Sequence, residues 1–491
     1  MGISRFFLLL GLLGLGGFAA YGEAVPLPVD RPLTDSRLVL DLESCRVDVR
    51  IDPGAASHMT IEDALNGEDT EGFVLLEGGK SGLRIGRPHG DEALAPPLNV
   101  TLVLGAGESL RIDGSDLSIA LSDARMELEE QQRKALAEES VLETARARRP
   151  GGVASRLLLS VSDSDLTLER ISGASLVGAN NRISLDDCRG PFIFDQQSTT
   201  VGVRRHWGSL HLKGENASYA VEGGEQRIAA TLTGGELLLA GGGGSVQATV
   251  RDALVSVEGW AGSLRFDGAD GRFDVRESAT GDDTLAIRGS DHDVKVVEHG
   301  GALKLDLEAG RVEIDGVAGR VDLNGKESTT IEAANLDDVL DINLDSGSSA
   351  RVRDVVRKVR ARVTGSELRL RAALEVELKA GDAVIEISEI SGKLRVEAGE
   401  SEVDLDLEAP RARPELRLSG ASSGRVTLAA PCRVRVSGEA EAAGDRVQVT
   451  GCDLEDRKSG RRPVPALRGQ RPPITLLVDV GDDSRLEVWS R

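Results

Sequence analysis

Three places in the chain set two carboxylates two residues apart: Asp163 with Asp165, Asp291 with Asp293 around His292, and Asp404 with Asp406. Residues i and i+2 of a strand share a face, so each pair can converge. Converging carboxylates are what glycoside hydrolysis requires, and an acidic cluster is what calcium requires. The outward positions of any soluble strand supply the same spacing, however. Sugar sites also draw on aromatic platforms, and Phe, Tyr and Trp together make up 3% of the chain. Gly420-Ala421-Ser422-Ser423-Gly424 spells a nucleophile elbow, but that elbow needs a strand before it and a helix after it. Here the strand pattern Arg425–Leu428 follows, so Ser422 is given no catalytic role. His206 and His211 flank Trp207; zinc asks for a third ligand, none lies near in sequence, and the two read as surface histidines. Gly241–Gly244 lacks the Asp of a calcium-binding nonapeptide, and no Gly-Lys-Ser/Thr phosphate loop occurs. No catalytic, cofactor-binding or metal-ligating residue is therefore expected, and no cofactor.

The elements that would position such residues are short and repetitive. Gly208-Ser-Leu-His-Leu-Lys-Gly214, Gly262-Ser-Leu-Arg-Phe-Asp-Gly268, Gly310-Arg-Val-Glu-Ile-Asp-Gly316 and Gly319-Arg-Val-Asp-Leu-Asn-Gly325 share one grammar, a glycine followed by alternating apolar and polar residues. Strict alternation is the mark of a strand with one buried face. A strand this short buries too little by itself, and stacking copies into a continuous core solves the problem. Two strands per rung give a repeat of about 18 to 20 residues, whereas three would give about 28; both remain open at this point. Propeller blades would recur at about 40 residues with aromatic signatures, and neither feature is present. Of four cysteines, Cys432 and Cys452 are separated by the length of one two-strand rung. That offset places them on adjacent rungs, whose ~4.8 Å spacing suits a disulfide. Whether Cys45 and Cys188 pair is left open.

Three segments depart from the repeat. Asp123 to Arg149 is rich in strong helix formers, with Leu128, Ala135 and Leu142 recurring at heptad spacing and Pro150-Gly151-Gly152 as a stop. It predicts an inserted helix. Arg37 to Leu121 has strand patterns with irregular connections and suits a cap. Arg457–Pro473 is basic and proline-rich, and two strand patterns follow, Ile474–Val480 and Arg485–Trp489.

The N-terminus carries Arg5, then the apolar run Phe6–Phe18, then small residues that allow cleavage after Gly22 or Ala24. This is the layout of a secretory signal; the run is shorter than the roughly 20 residues that span a bilayer. Net charge is −22, which favours solubility and opposes nucleic acid as a partner.

The stretch Pro96-Pro-Leu-Asn-Val-Thr-Leu-Val-Leu-Gly-Ala-Gly-Glu-Ser-Leu-Arg-Ile-Asp-Gly-Ser-Asp-Leu-Ser-Ile119, with later copies such as Ser391-Gly-Lys-Leu-Arg-Val396, resembles bacterial adhesin-like families described as head domains of autotransporter adhesins. The resemblance covers most of 37–450 and implies a β-strand repeat domain with no defined active residues. The combined expectation is an all-β fold: an elongated parallel β-helix (β-solenoid) of short Gly-punctuated rungs with one inserted α-helix. Its divisions would be a signal peptide at 1–24, an N-terminal β region at 25–121, the helical insertion at 122–150, solenoid repeats at 151–450, and the basic loop with terminal strands at 451–491. The expected function is that of an exported, non-enzymatic envelope protein, periplasmic or at the cell surface. It would present a charged surface to an unidentified protein or glycan, and keep no integral membrane segment after cleavage. The alternative is a carbohydrate-active β-helix enzyme, a polysaccharide lyase or hydrolase.

Overall fold

The computed structural model describes residues 157–278, 280–407 and 413–428 without a break. Beyond these it describes 23–26, 29–32, 37–63, 73–86, 98–123, 432–437, 447–455 and 474–490, with short breaks. Among the described residues there are strands and no helix. The strand that begins at Ser118 runs on to Asp123, past its expected end at Leu121. The remainder of the expected helix lies outside the described residues. Two compact units are present, Met1–Val201 and Gly202–Arg491, and both are built on parallel β-solenoid turns.

The turn has two strands. Ser218–Thr233 pairs in parallel with Glu236–Ala240 and Gly243–Arg251, which pair in turn with Leu254–Glu258 and Leu264–Ala269. Each strand thus meets the strand one full turn on, as Leu237 meets Val255. Inward positions are mostly Val, Leu and Ile; outward ones are charged or polar, giving burial that alternates residue by residue, as in Arg182–Asp186. Two facing sheets of such strands enclose a narrow core. Trp260, Tyr219, Phe266 and Phe273 are the large side chains buried within it in the second unit.

What bends the chain is a residue in the left-handed region at each corner. Asn216, Gly234, Asp252 and Asp270 take φ of 53°, 69°, 51° and 54° along one edge, and Gly223, Gly241, Gly259 and Glu277 take 66°, 54°, 59° and 46° along the other. Asn, Asp and Gly tolerate this conformation best. The corner N–H then donates to the carbonyl just ahead of the next corner, as Asn216 to Thr233 at 2.9 Å and Gly234 to Arg251 at 2.8 Å. The Gly-led strand grammar marked the strands; the corners are set by Asx residues as much as by glycine.

Both ends of the chain leave sequence order. In the first unit, Arg37–Glu43 and Cys45–Ile51 form a turn that pairs with Ser109–Ser115 and Ser118–Asp123 on one side and with Gly82–Gly86 and Leu98–Leu104 on the other. Solenoid turns therefore begin well before residue 151. Antiparallel strands follow outward: Phe73–Gly79 on Gly82–Gly86, His58–Asp63 on Leu98–Leu104, then Glu23–Pro26 and Val29–Pro32. They cover the open edge of the parallel stack, an edge that would otherwise template pairing with another chain. In the second unit, Ile474–Val480 and Arg485–Ser490 form a turn of their own. It lies between the strands Glu415–Ser419 and Ser423–Leu428 on one side and Cys432–Ser437 and Val447–Thr450 on the other.

Candidate functional site

The residues with possible chemistry fall into three settings: corners, the positions just inside them, and outward faces. Asp163 and Asp291 are left-handed corner residues, with φ of 50° and 55°. Both are exposed, as are Asp165 and Asp293. The residue between each pair, Ser164 or His292, points into the core and is buried. Asp163 accepts a hydrogen bond from Asn180 Nδ2 at 3.0 Å, a contact between successive corners. Asp404 and Asp406 do share an outward face; Asp404 lies between Glu386 and Arg425 in register.

Just inside one corner runs a buried line of small polar side chains. Ser164 Oγ accepts from the Leu117 N–H at 2.9 Å, Asn181 Oδ1 from Ser164 N–H at 3.0 Å and Thr199 Oγ1 from Asn181 N–H at 3.2 Å. In the second unit Ser401 and Ser422 serve Ala383 and Ser401 in the same way. Each side chain satisfies a backbone donor one turn back that would be costly to bury alone. Ser422 belongs to this line: it is 2% exposed and donates to Ser419 O at 2.6 Å, so the apparent elbow is a corner support.

Two histidines extend the same device. His292 Nδ1 accepts from the Gly271 N–H at 3.0 Å, while its Nε2 faces Arg288 O at 3.3 Å. Its ring stands edge-on to Phe273, centroids 5.0 Å apart. Inside the opposite corner, His299 Nδ1 lies 3.0 Å from Ser278 Oγ and its Nε2 lies 3.1 Å from Ala302 O. Burial lowers both histidine pKa values, which keeps the rings neutral, with Nε2–H donating to a carbonyl. The Ser278–His299 contact has the form of a nucleophile and its base, and sequence reading missed it because the two residues are a turn apart. Both are 1% exposed, and a backbone carbonyl stands where an orienting carboxylate would. The pair fills a corner.

The surface reading of the His206–His211 pair fails for one member. His206 is fully buried inside a corner, and its carbonyl accepts from Gln226 Nε2 at 3.1 Å. His211 points outward. Strand alternation sends an odd-numbered offset to opposite faces, so the two do not meet. Among the described residues no group of three or more His, Cys, Asp or Glu side chains could hold a metal ion. Cys188 is buried, and burial pushes its thiol up to about 11, far from thiolate chemistry. Cys452 is disulfide-bonded. Arg433 pairs with Asp453, so the backbone register sets Cys432 beside Cys452.

The outward faces of the second unit carry the strongest organisation. On one of them Asp322, Asp341, Arg360, Glu377, Arg395 and Glu415 stand in a single cross-turn line. Arg320 lies 3.0 Å from Asp322 and 2.6 Å from Asp341, Lys358 2.8 Å from Glu377, and Arg417 3.0 Å from Asp479. The Lys358 ammonium holds Glu377 below the usual carboxylate range. A concavity of about 410 Å³ lies on this face, lined by Arg320, Asp341, Asn343, Arg360, Arg362 and Lys379 among others.

No family pattern matches the chain, and no curated protein or solved structure matches it.

Proposed function

We propose that this protein is an exported, non-enzymatic scaffold of the cell envelope, adhesin-like, whose charged solenoid faces bind a protein or glycan. The observation that supports this reading is the cross-turn line of charge from Asp322 to Glu415. It sits on strands whose inward side chains are buried. Side chains held this way lose little freedom on binding, which is the advantage of a preorganised surface. Each exposed ion pair adds only about 0–1 kcal/mol to stability, so the regular charge pattern is better explained by recognition and solubility. The test is binding of the purified protein to envelope material across a salt series. Binding that weakens steeply with salt supports the reading; binding indifferent to salt removes it. Release of unsaturated or reducing ends from polysaccharide, lost in Asp291→Ala or Asp404→Ala, would replace it with the enzyme alternative.

The helix over 124–150 belongs to the same proposal. In the first unit, Leu158, Ser175 and Ile193 form one cross-turn line, with Ser160 and Val177 beside them. Leu158, Val177 and Ile193 are 42%, 48% and 50% exposed, and charge borders this patch, with Arg111 beside Leu158 and Asp195 beside Val177. The Leu128, Ala135 and Leu142 stripe, which precedes the strand at Leu157 in the chain, is the apolar cover we propose for it. Deleting 124–150 should remove a small helical component from the circular dichroism spectrum and raise dye binding at the exposed patch. An unchanged spectrum would dismiss the helix.

A further inference from the structure

Residues 349–381 carry nine Lys and Arg against four Asp and Glu, inside a chain of net charge −22. Most of these cations have acidic neighbours: Arg357 reaches Asp338 at 3.1 Å, Lys358 reaches Glu377 at 2.8 Å and Arg371 reaches Glu389 at 2.8 Å. Arg362 is different. Its cross-turn neighbours are Asn343 on one side and Lys379 on the other, and it forms no ion pair with the described residues. Like charges directly opposite on neighbouring strands cost stability; Lys379 is offset on its far side by Glu397 at 3.5 Å, which leaves the Arg362 guanidinium as the positive charge without an ion pair at this place. It lies in the concavity of about 410 Å³, beside Asn324 and Asn343, whose side-chain amides are joined at 2.8 Å.

We infer that this concavity, centred on Arg362 and Lys379, is a binding site for a carboxylate-bearing glycan; the inference rests on the binding-scaffold reading and names its ligand class. The guanidinium of Arg362 offers two parallel donors that match a carboxylate. Lys379 stands one turn away, ~4.8 Å, and Arg360 two residues away along the strand, roughly 6.6 Å; their ion pairs to Glu397 at 3.5 Å and Asp341 at 3.6 Å are long and exposed, so a second acidic group of an extended chain meets a shared cation beside the unshared Arg362. The rim decides the class. Asp322 and Asp341 accept hydrogen bonds, and a uronic sugar brings hydroxyl donors for them as well as a carboxylate for the arginines. A phosphodiester backbone brings no such donors, and the same acids would repel it. A protein interface would want an apolar or aromatic anchor at its centre, and the apolar lining residues Ile342 and Ala361 are buried.

The experiment is a fluorescence-anisotropy titration of the purified protein with labelled hexagalacturonate. Neutral hexagalactose, hexaglutamate and a single-stranded oligonucleotide of equal charge serve as comparators. Hexagalacturonate should bind, more tightly at low salt, and hexagalactose should not. Arg362→Ala should weaken binding about tenfold, the loss expected for one charge-assisted contact. Arg362→Lys should fall between, because it keeps the charge and loses the fork. Arg276→Ala, whose partner Asp274 lies on strand Arg272–Arg276, should leave affinity unchanged. Because Arg362 is exposed, these variants should keep the parent's thermal midpoint. Failure of hexagalacturonate to bind, or binding undiminished in Arg362→Ala, overturns the site. Tighter binding of hexaglutamate or of the oligonucleotide overturns the ligand class. Envelope binding through another face can survive either failure, and this titration can succeed even if the protein is found outside the envelope, so the two readings fall separately.

Discussion

Corner residues and the side chains just inside them govern how tightly successive turns can approach. Gly178 shows the steric limit: a Cβ there would overlap the Val161 carbonyl oxygen and crowd Asn181 Nδ2 at 2.7 Å. Gly178→Ala should therefore destabilise the first unit by about 1–3 kcal/mol, the range for overpacking. Gly241 has open space around its Cβ position and φ of 54°, so Gly241→Ala should cost about 1 kcal/mol through backbone conformation alone. Urea denaturation of the two variants separates these causes. The buried histidines make the stability pH-dependent with a definite sign. Burial holds His292 and His299 below their ordinary value near 6.5, so the unfolded chain takes up protons first on acidification. Stability from these residues is fully present above about pH 6.5 and falls progressively below it. Urea midpoints measured between about pH 7.5 and about pH 5.5 should decline, and the decline should be shallower in His299→Asn, which cannot titrate. The charged outward residues were readable from the alternation of the strands. Buried His206, His292 and His299 were not, because the left-handed corner before each one resets which side faces inward.

Short strands hold here because they are paired on both sides and buried on one face. The consequence of the chain's return at its C-terminal end is specific. Ile474–Val480 and Arg485–Ser490 separate the strands that begin at Glu415 and Ser423 from those that begin at Cys432 and Val447. Removing residues 474–491 should therefore expose two faces of the stack and loosen 432–455 as well, read as new proteolytic cleavages there while 202–407 stays protected. Retained protection of 432–455 would show that those strands need no partner from the C-terminus. The register that sets Cys432 beside Cys452, with Cys452 disulfide-bonded, predicts that non-reducing peptide maps link these two cysteines; recovering Cys432 in another pairing would contradict it. The Ile474 and Arg485 strands were visible as alternating patterns. Their place in the stack was not, since partners as distant in the chain as Glu415 and Leu477 leave no periodic trace.

At the scale of the molecule, net charge −22 and turns that touch mainly their neighbours give a quasi-one-dimensional energetics. Damage should stay near the turn that carries it unless it removes an interleaved one. The N-terminal pattern adds a prediction about maturation. Glu23–Pro26 pairs antiparallel with Phe73–Gly79, Glu23 opposite Leu76. Cleavage after Gly22 preserves the whole strand, whereas cleavage after Ala24 removes half of it, so sequencing of protein from its native host should begin at Glu23. A mature N-terminus at Val25 would show that this edge strand is dispensable, and an intact Met1 would refute export.

That the chain folds as strands with one buried face, and that these strands recur, follows from the residue pattern alone. The driving force, apolar side chains at alternate positions, is local and periodic. The folded structure was needed to see that a turn holds two strands, since that depends on left-handed corners at Asn, Asp, Gly and even Glu277 and Ala309, residues with many other uses in a sequence. It alone set Arg362 against Lys379 and turned His206, Ser278 and His299 inward. Those relations depend on cross-turn register, and the register drifts step by step because turns differ in length, the one from Asp165 to Arg182 being shorter than the one from Leu264 to Leu285.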